Sequence, residues 1–169
     1  MKFKQLILLG PPGTGVKVQA KTLAEHWRIP HVSMGHLLRE AVAKGSILGL
    51  EASPYVAAQA LVPDAVVIKL LRKRFEQPDV MLKGWVLDGF PRTLAQAEAL
   101  NELLLRVGQP AATVAYLKAM TGLLINRLSA NDEYEPIPSI RRRLAHHQEE
   151  TGPLLDYYRQ QGQLSTINA

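Results

Sequence analysis

At 169 residues the chain has the length of one domain and enough material for a sizeable core, so it needs no disulfide or metal staple. It contains no cysteine, which excludes a disulfide framework and a thiolate metal site and points to the cytoplasm or another reducing compartment. A net charge of +5 fits a polyanionic partner or, as the simpler reading, arginines gathered around phosphates, while the lack of a long apolar run excludes a membrane-spanning helix.

In chain order, a short basic lead runs into the apolar stretch Leu6 to Leu9 and then Gly-Pro-Pro. No small-residue cleavage site follows, so the stretch reads as a buried first strand and not as a signal peptide. GPPGTGVKVQ, Gly10 to Gln19, comes next, and a helix pattern from Lys17 to Trp27 leaves it. Strand, glycine-rich turn and helix make a phosphate cradle: Gly10, Gly13 and Gly15, with Thr14 between them, let successive N–H groups face one anion at a helix N-terminus. The usual continuation of Gly-x-x-x-x-Gly is a lysine and then a hydroxyl residue that holds magnesium, but this chain supplies Val16, Lys17 and Val18.

Ile29-Pro30 closes the first helix before a short extended piece, His31 to Ser33. Helical spacing predicts Gly35 to Lys44, Ala52 to Ala60 and Asp64 to Phe75, so Ser33 to Phe75 reads as a helical insertion between strands. Gly84 to Leu87 suits a buried parallel strand with Asp88 at its end, Thr93 caps a helix to Arg106, and Thr113 to Leu117 is strand-like. The polar stretch Ser129 to Ser139, holding Pro136 and Pro138, reads as a loop. A basic helix from Ile140 to Tyr158 and a strand from Gln163 to Ile167 finish an α/β pattern with a mostly parallel sheet. Ligands of such sheets sit beyond the carboxyl ends of the strands.

Two constellations fall there. Asp88, ending an apolar strand and facing the cradle, suits a magnesium ion or its waters, and equally suits capping of its own turn. Arg92 offers two parallel hydrogen bonds to an anionic oxygen pair. Arg127, Arg141, Arg142 and Arg143 flank the proline-bearing loop, and one or two of them belong to a solvated face.

These motifs together resemble the adenylate kinases, of the nucleoside monophosphate kinase family. The likeness rests on GPPGTG with Gln19 and Ala20, VSMGHLLRE, Leu61-Val62 before Pro63, LDGFPRT with Gln96, the Arg127-Leu128 pair, and RRRL with TGPLLDYY, covering nearly all of the chain. It implies a P-loop kinase-like five-stranded parallel sheet sandwiched by helices, in one domain over 1–169. It also implies a monophosphate-binding insertion over 33–75, a shortened lid over 129–139, and phosphoryl transfer from Mg-ATP to AMP. By the same resemblance Arg39 and Arg92 meet the AMP phosphate, Gln96 and Gly89 meet the adenine edge, and Leu61 and Val62 line the base. Asp88, Arg92, Arg127 and Arg143 are the catalytic set, and Asp88 holds magnesium indirectly.

The departures from the family pattern are uneven. On the monophosphate side Met34 stands for a threonine and His36, read as a surface residue at a helix start, for an aspartate. On the ATP side Val16 replaces the cradle lysine, Val18 a hydroxyl residue, and Lys17 a glycine, one helical step or about 100° from its neighbour and so expected to point away. Where the family reads Arg-x-Asp-Asp, this chain reads Ser129-Ala130-Asn131-Asp132. The sequence ends at Ala169 where the family continues into a closing helix, so that either this helix is dispensable or a protein partner covers the apolar face. The expectation is a protein that binds AMP, ADP or ATP, with weak or lost transfer and a better retained AMP site, and magnesium is expected only with activity. An active but slow kinase and a non-catalytic protein-interaction module are the alternatives. Nucleic acid ranks last as a partner for want of aromatic interleaving.

Overall fold

The computed structural model describes residues 4–130 and 135–169. Five strands, β1 (Lys4–Leu9), β2 (His31–Ser33), β3 (Gly84–Asp88), β4 (Thr113–Lys118) and β5 (Leu164–Asn168), form one all-parallel sheet in the order β2-β3-β1-β4-β5. The apolar runs foreseen as strands take its middle, because a strand covered on both faces has no solvent side for polar residues. Eight helices connect and cover them among the described residues: α1 (Val16–Trp27), α2 (Met34–Ala43), α3 (Ile47–Ala57), α4 (Asp64–Phe75), α5 (Pro78–Lys83), α6 (Leu94–Arg106), α7 (Thr121–Ser129) and α8 (Ile137–Gln160).

Alternation along β1 divides the core. Leu6 and Leu8 pack with Ala20 and Ala24 of α1, whereas Ile7 and Leu9 join the larger cluster that α4, α6 and α8 build with Leu71, Leu100 and Leu154. Trp85 of β3 stacks on Phe75 with centroids 4.9 Å apart, worth about 0.5–1.5 kcal/mol beyond the buried area. Its indole N–H donates to Gln109 Oε1 at 2.7 Å, which also accepts from Gln5 Nε2 at 2.6 Å. This buried knot ties the amino ends of β1 and β3, leaving their carboxyl ends free for function.

The connections decide where that function lies. β1 leads through α1 to β2 on one side, while β3 leads through α6, past β1, to β4 on the other. Chains leaving two neighbouring strands in opposite directions open a crevice between their carboxyl ends. In register Leu8 stands beside Asp88, so the glycine turn after Leu9 and the turn after Asp88 border that crevice together.

Several boundaries differ from the sequence reading. The helix expected from Ala52 to Ala60 runs from Ile47 to Ala57, because Ser46 caps it by accepting from the Gly49 N–H at 3.1 Å, and Pro54 lies inside it. The α5 turn and α7 were not foreseen. The stretch Ser129 to Ser139 is not a loop throughout: Ser129 ends α7, and Ile137 to Ser139 form the first turn of α8. Pro138 fits that turn since its missing N–H has no helical partner there anyway. Residues 131–134 of the expected lid lie outside the described residues. The strand expected at Gln163 to Ile167 sits one residue later, at Leu164–Asn168.

Candidate functional site

The glycine turn is shaped by what lies beneath it. A Cβ on Gly10 would come within 2.7 Å of Thr14 Oγ1 and 2.9 Å of Val16 Cγ2, and one on Gly13 would stand 3.3 Å from Leu124 and Leu128. Gly13 (φ 90°) and Gly15 (φ 76°) use the left-handed backbone open to glycine. The Thr14 hydroxyl is spent inside the turn, donating to the Pro11 carbonyl at 2.7 Å. Gly15 caps α1 without a side chain, and the first intrahelical bond from outside is Gln19 N–H to Gly15 O at 2.9 Å. The N–H groups of residues 16–18 therefore have no helical acceptor and remain available to an anion.

The altered residues behave differently from one another. Val16 is half-buried, packs with the Leu6 and Leu8 cluster, and also borders the cleft. Lys17 is exposed and borders the cleft too. Val18 is 66% exposed and does not border the cleft.

The cleft itself has a volume of about 920 Å³ and runs from the glycine turn past Asp88 to Met34, Leu61 and Val62. Asp88 is 5% exposed, and neither sequence reading describes its partners: its carboxylate meets His31 Nε2 and accepts from Ser33 Oγ at 3.3 Å, both on β2. Gly89 (φ 76°) turns the chain beside Met34, so that the segment to Arg92 follows the cleft wall. Arg92 is exposed, borders the cleft and joins no ion pair among the described residues. Gln96 also borders the cleft; it accepts from the Arg92 N–H at 2.7 Å and donates to Asp64 at 2.9 Å.

The remaining arginines are not all gathered there. Arg143 borders the cleft with its guanidinium on Glu135 at 2.7 Å. Arg127 donates to the Gly13 carbonyl at 3.3 Å and is not among the residues that line the cleft. Arg39 is exposed, with Nη1 3.1 Å from the position of a Cβ on Gly35, and does not border the cleft either. His36 is an exposed helix-start residue, as expected. Two groups went unnoticed in the sequence: His31, whose alternation with Ser33 on one strand was the available signal, and the α8 face carrying His146, His147 and Glu150.

His147 has a pH consequence. Burial first, then the nearby positive Arg92, holds its pKa below the ordinary histidine value, with Glu150 opposing. The unfolded chain thus binds this proton more readily than the fold does, and stability should fall as pH drops through about 6.5 and below. Urea unfolding at pH 7.5 and 5.5 should reveal the loss, and His147→Gln should remove that part of it. An unchanged pH difference in the variant would show that other groups are responsible.

Toward magnesium the residues offer the Asp88 carboxylate, whose oxygens meet His31 and Ser33 and keep lone pairs for the ion's waters, while Val16 and Val18 offer hydrocarbon and no ligating hydroxyl.

Comparison with known proteins agrees with this geometry. The family model for adenylate kinase matches residues 8–163. The chain is 45% identical to adenylate kinase 1 of Nostoc sp., over 97% of this chain and 89% of that one, and 44% identical to the adenylate kinase of Cyanothece sp., over 97% and 86%. It is 41% identical to the adenylate kinase of Xanthomonas euvesicatoria pv. vesicatoria, over 97% and 90%. A parallel sheet with a glycine turn at its central strand, an Asp-Gly-Phe-Pro-Arg turn beside it, and this likeness along nearly the whole chain make the protein a member of the adenylate kinase family.

Proposed function

We propose that this member of the family recognises nucleotides unequally, with an AMP site that still functions and an ATP phosphate site too weak for ordinary phosphoryl transfer. The observation that carries the reading is Val16: the first residue of α1, where the family has its cradle lysine, is a hydrocarbon packed into the cluster beneath the turn. Phosphoryl transfer depends on positioning and charge neutralisation, so loss of a cation there removes part of the catalyst itself. Across the cleft Arg92, Gln96, Leu61 and Val62 border one continuous space and supply a guanidinium, an amide and an apolar wall. Those are the groups a nucleoside monophosphate needs.

Titration of AMP, ADP and ATP by calorimetry, with and without magnesium, tests this alongside a coupled turnover assay. AMP should bind more tightly than ATP, and magnesium should add little to ATP. Micromolar Mg-ATP binding with ordinary turnover would overturn the proposal. A slow kinase is the second reading, favoured by Lys17 at the cleft edge and by Arg143 within it. Under that reading Lys17→Ala should abolish the residual rate, whereas under the first it changes little.

A further inference from the structure

Resting on the AMP reading above, we propose that Asp64 is a positioning residue for base selection, holding the Gln96 amide in the one orientation that accepts adenine and refuses guanine. Gln96 is 1% exposed and borders the cleft. Its Oε1 accepts from the Arg92 backbone N–H at 2.7 Å, and its Nε2 donates to Asp64 Oδ1 at 2.9 Å. A backbone N–H can only donate and an ionised carboxylate can only accept, so these two neighbours leave the amide a single orientation.

What remains of the amide is one lone pair on Oε1 and one N–H on Nε2. Adenine presents a donor at its 6-amino group and an acceptor at N1, matching an oxygen and an N–H held side by side. Guanine presents an acceptor at O6 and a donor at N1, and would need the two amide atoms exchanged. Exchange would set Gln96 Oε1 against the Asp64 carboxylate and Nε2 against the Arg92 N–H. Two mismatches on one buried side chain make that orientation costly.

Gln96 could serve only to cap α6. Thr93 accepts from the Gln96 N–H at 3.2 Å, and a glutamine three residues after a capping threonine commonly reaches back to the chain. Capping accounts for the bond to Arg92, the residue before the cap. It gives no reason for the bond to Asp64, which lies 32 residues away on a different helix. Asp64 begins α4 directly after Leu61, Val62 and Pro63, so one short segment carries both the apolar wall of the cleft and the carboxylate that orients the amide.

The test titrates AMP and GMP by calorimetry into the full chain and into Asp64→Asn and Asp64→Ser, with thermal melting on each. Asparagine keeps the shape of Asp64 but can donate or accept, and serine carries the same expectation should the first variant fold poorly. The parent should prefer AMP, and each variant should lose about tenfold of that preference while retaining part of it through the Arg92 N–H. An unchanged AMP-to-GMP ratio, or an equal fall for both nucleotides, would make Asp64 a structural residue and overturn the inference while leaving the AMP site standing. Failure of the parent itself to bind AMP at millimolar concentration would instead bring down the AMP reading and this inference with it.

Discussion

Introducing Val16→Lys, Lys17→Gly and Val18→Thr together is expected to raise Mg-ATP affinity by about 10- to 100-fold, the effect of one charge-assisted hydrogen bond at roughly 1.5–3 kcal/mol. The loop is already prepared. Gly13 and Gly15 hold their left-handed angles, and residues 16–18 offer N–H groups with no helical acceptor. Val16 borders the cleft, so a lysine stem can occupy the methyl space and project its ammonium toward a phosphate. Val16→Lys alone should supply most of the gain, because Val18 is turned to solvent away from the cleft. The empty triple variant should be less stable by about 1 kcal/mol, since a glycine enters the first turn of the helix while the cation there only moves from position 17 to 16. Nucleotide should restore that loss.

Rate should lag behind binding. The segment Ser129 to Pro136 holds no arginine, and a closing arginine contributes roughly 10³ to 10⁵ in rate in related transfers. Calorimetry and coupled turnover on one preparation check this. Full activity in the repaired protein would show that the lid was never the obstacle, and ordinary activity in the parent would overturn the reading of Val16.

Arg92→Ala should weaken AMP binding by about 100-fold, the loss of a bidentate contact worth roughly 3 kcal/mol. Stability should stay within about 0.5 kcal/mol, because the side chain is exposed and joins no ion pair among the described residues. That pairing of outcomes separates lost recognition from lost fold. Arg92→Lys should recover only part of the affinity, a point charge being unable to reproduce the planar fork. Unchanged AMP affinity in Arg92→Ala would assign the phosphate to Arg143 or to a rotated Arg39.

The elements that were legible in sequence carry strong local signals. β1 and β3 announce themselves as apolar runs ended by Gly10 and by Asp88-Gly89, and α6 by its Thr93 cap, which the structure reproduces. α3 was placed too late because the Ser46 cap fixes its start at Ile47, five residues before the apolar spacing that suggested Ala52, while Pro54 lies inside both the expected and the observed helix. The stretch around Pro136 and Pro138 was expected to be a loop because of its prolines, yet Pro138 sits in the first turn of α8. Proline in a first turn favours a helix that proline in the middle would disrupt.

For the site, sequence by itself determined the chemistry on offer: a glycine turn without its lysine, an aspartate at a strand end, and a guanidinium and an amide four residues apart. Spacing along the chain suffices for those features because strand, turn and helix relate near neighbours through fixed geometry. Tertiary structure alone decided who engages whom. His31 meets Asp88 across 57 residues, Arg127 meets Gly13 across 114, and Asp64 meets Gln96 across 32. It also decided that Lys17 borders the cleft while Val18 does not. Such contacts depend on which strands pair and where the helices cross, and the burial of the whole core sets those at once. Local pattern puts His31 and Ser33 on one face of a strand, but it does not name the residue they meet.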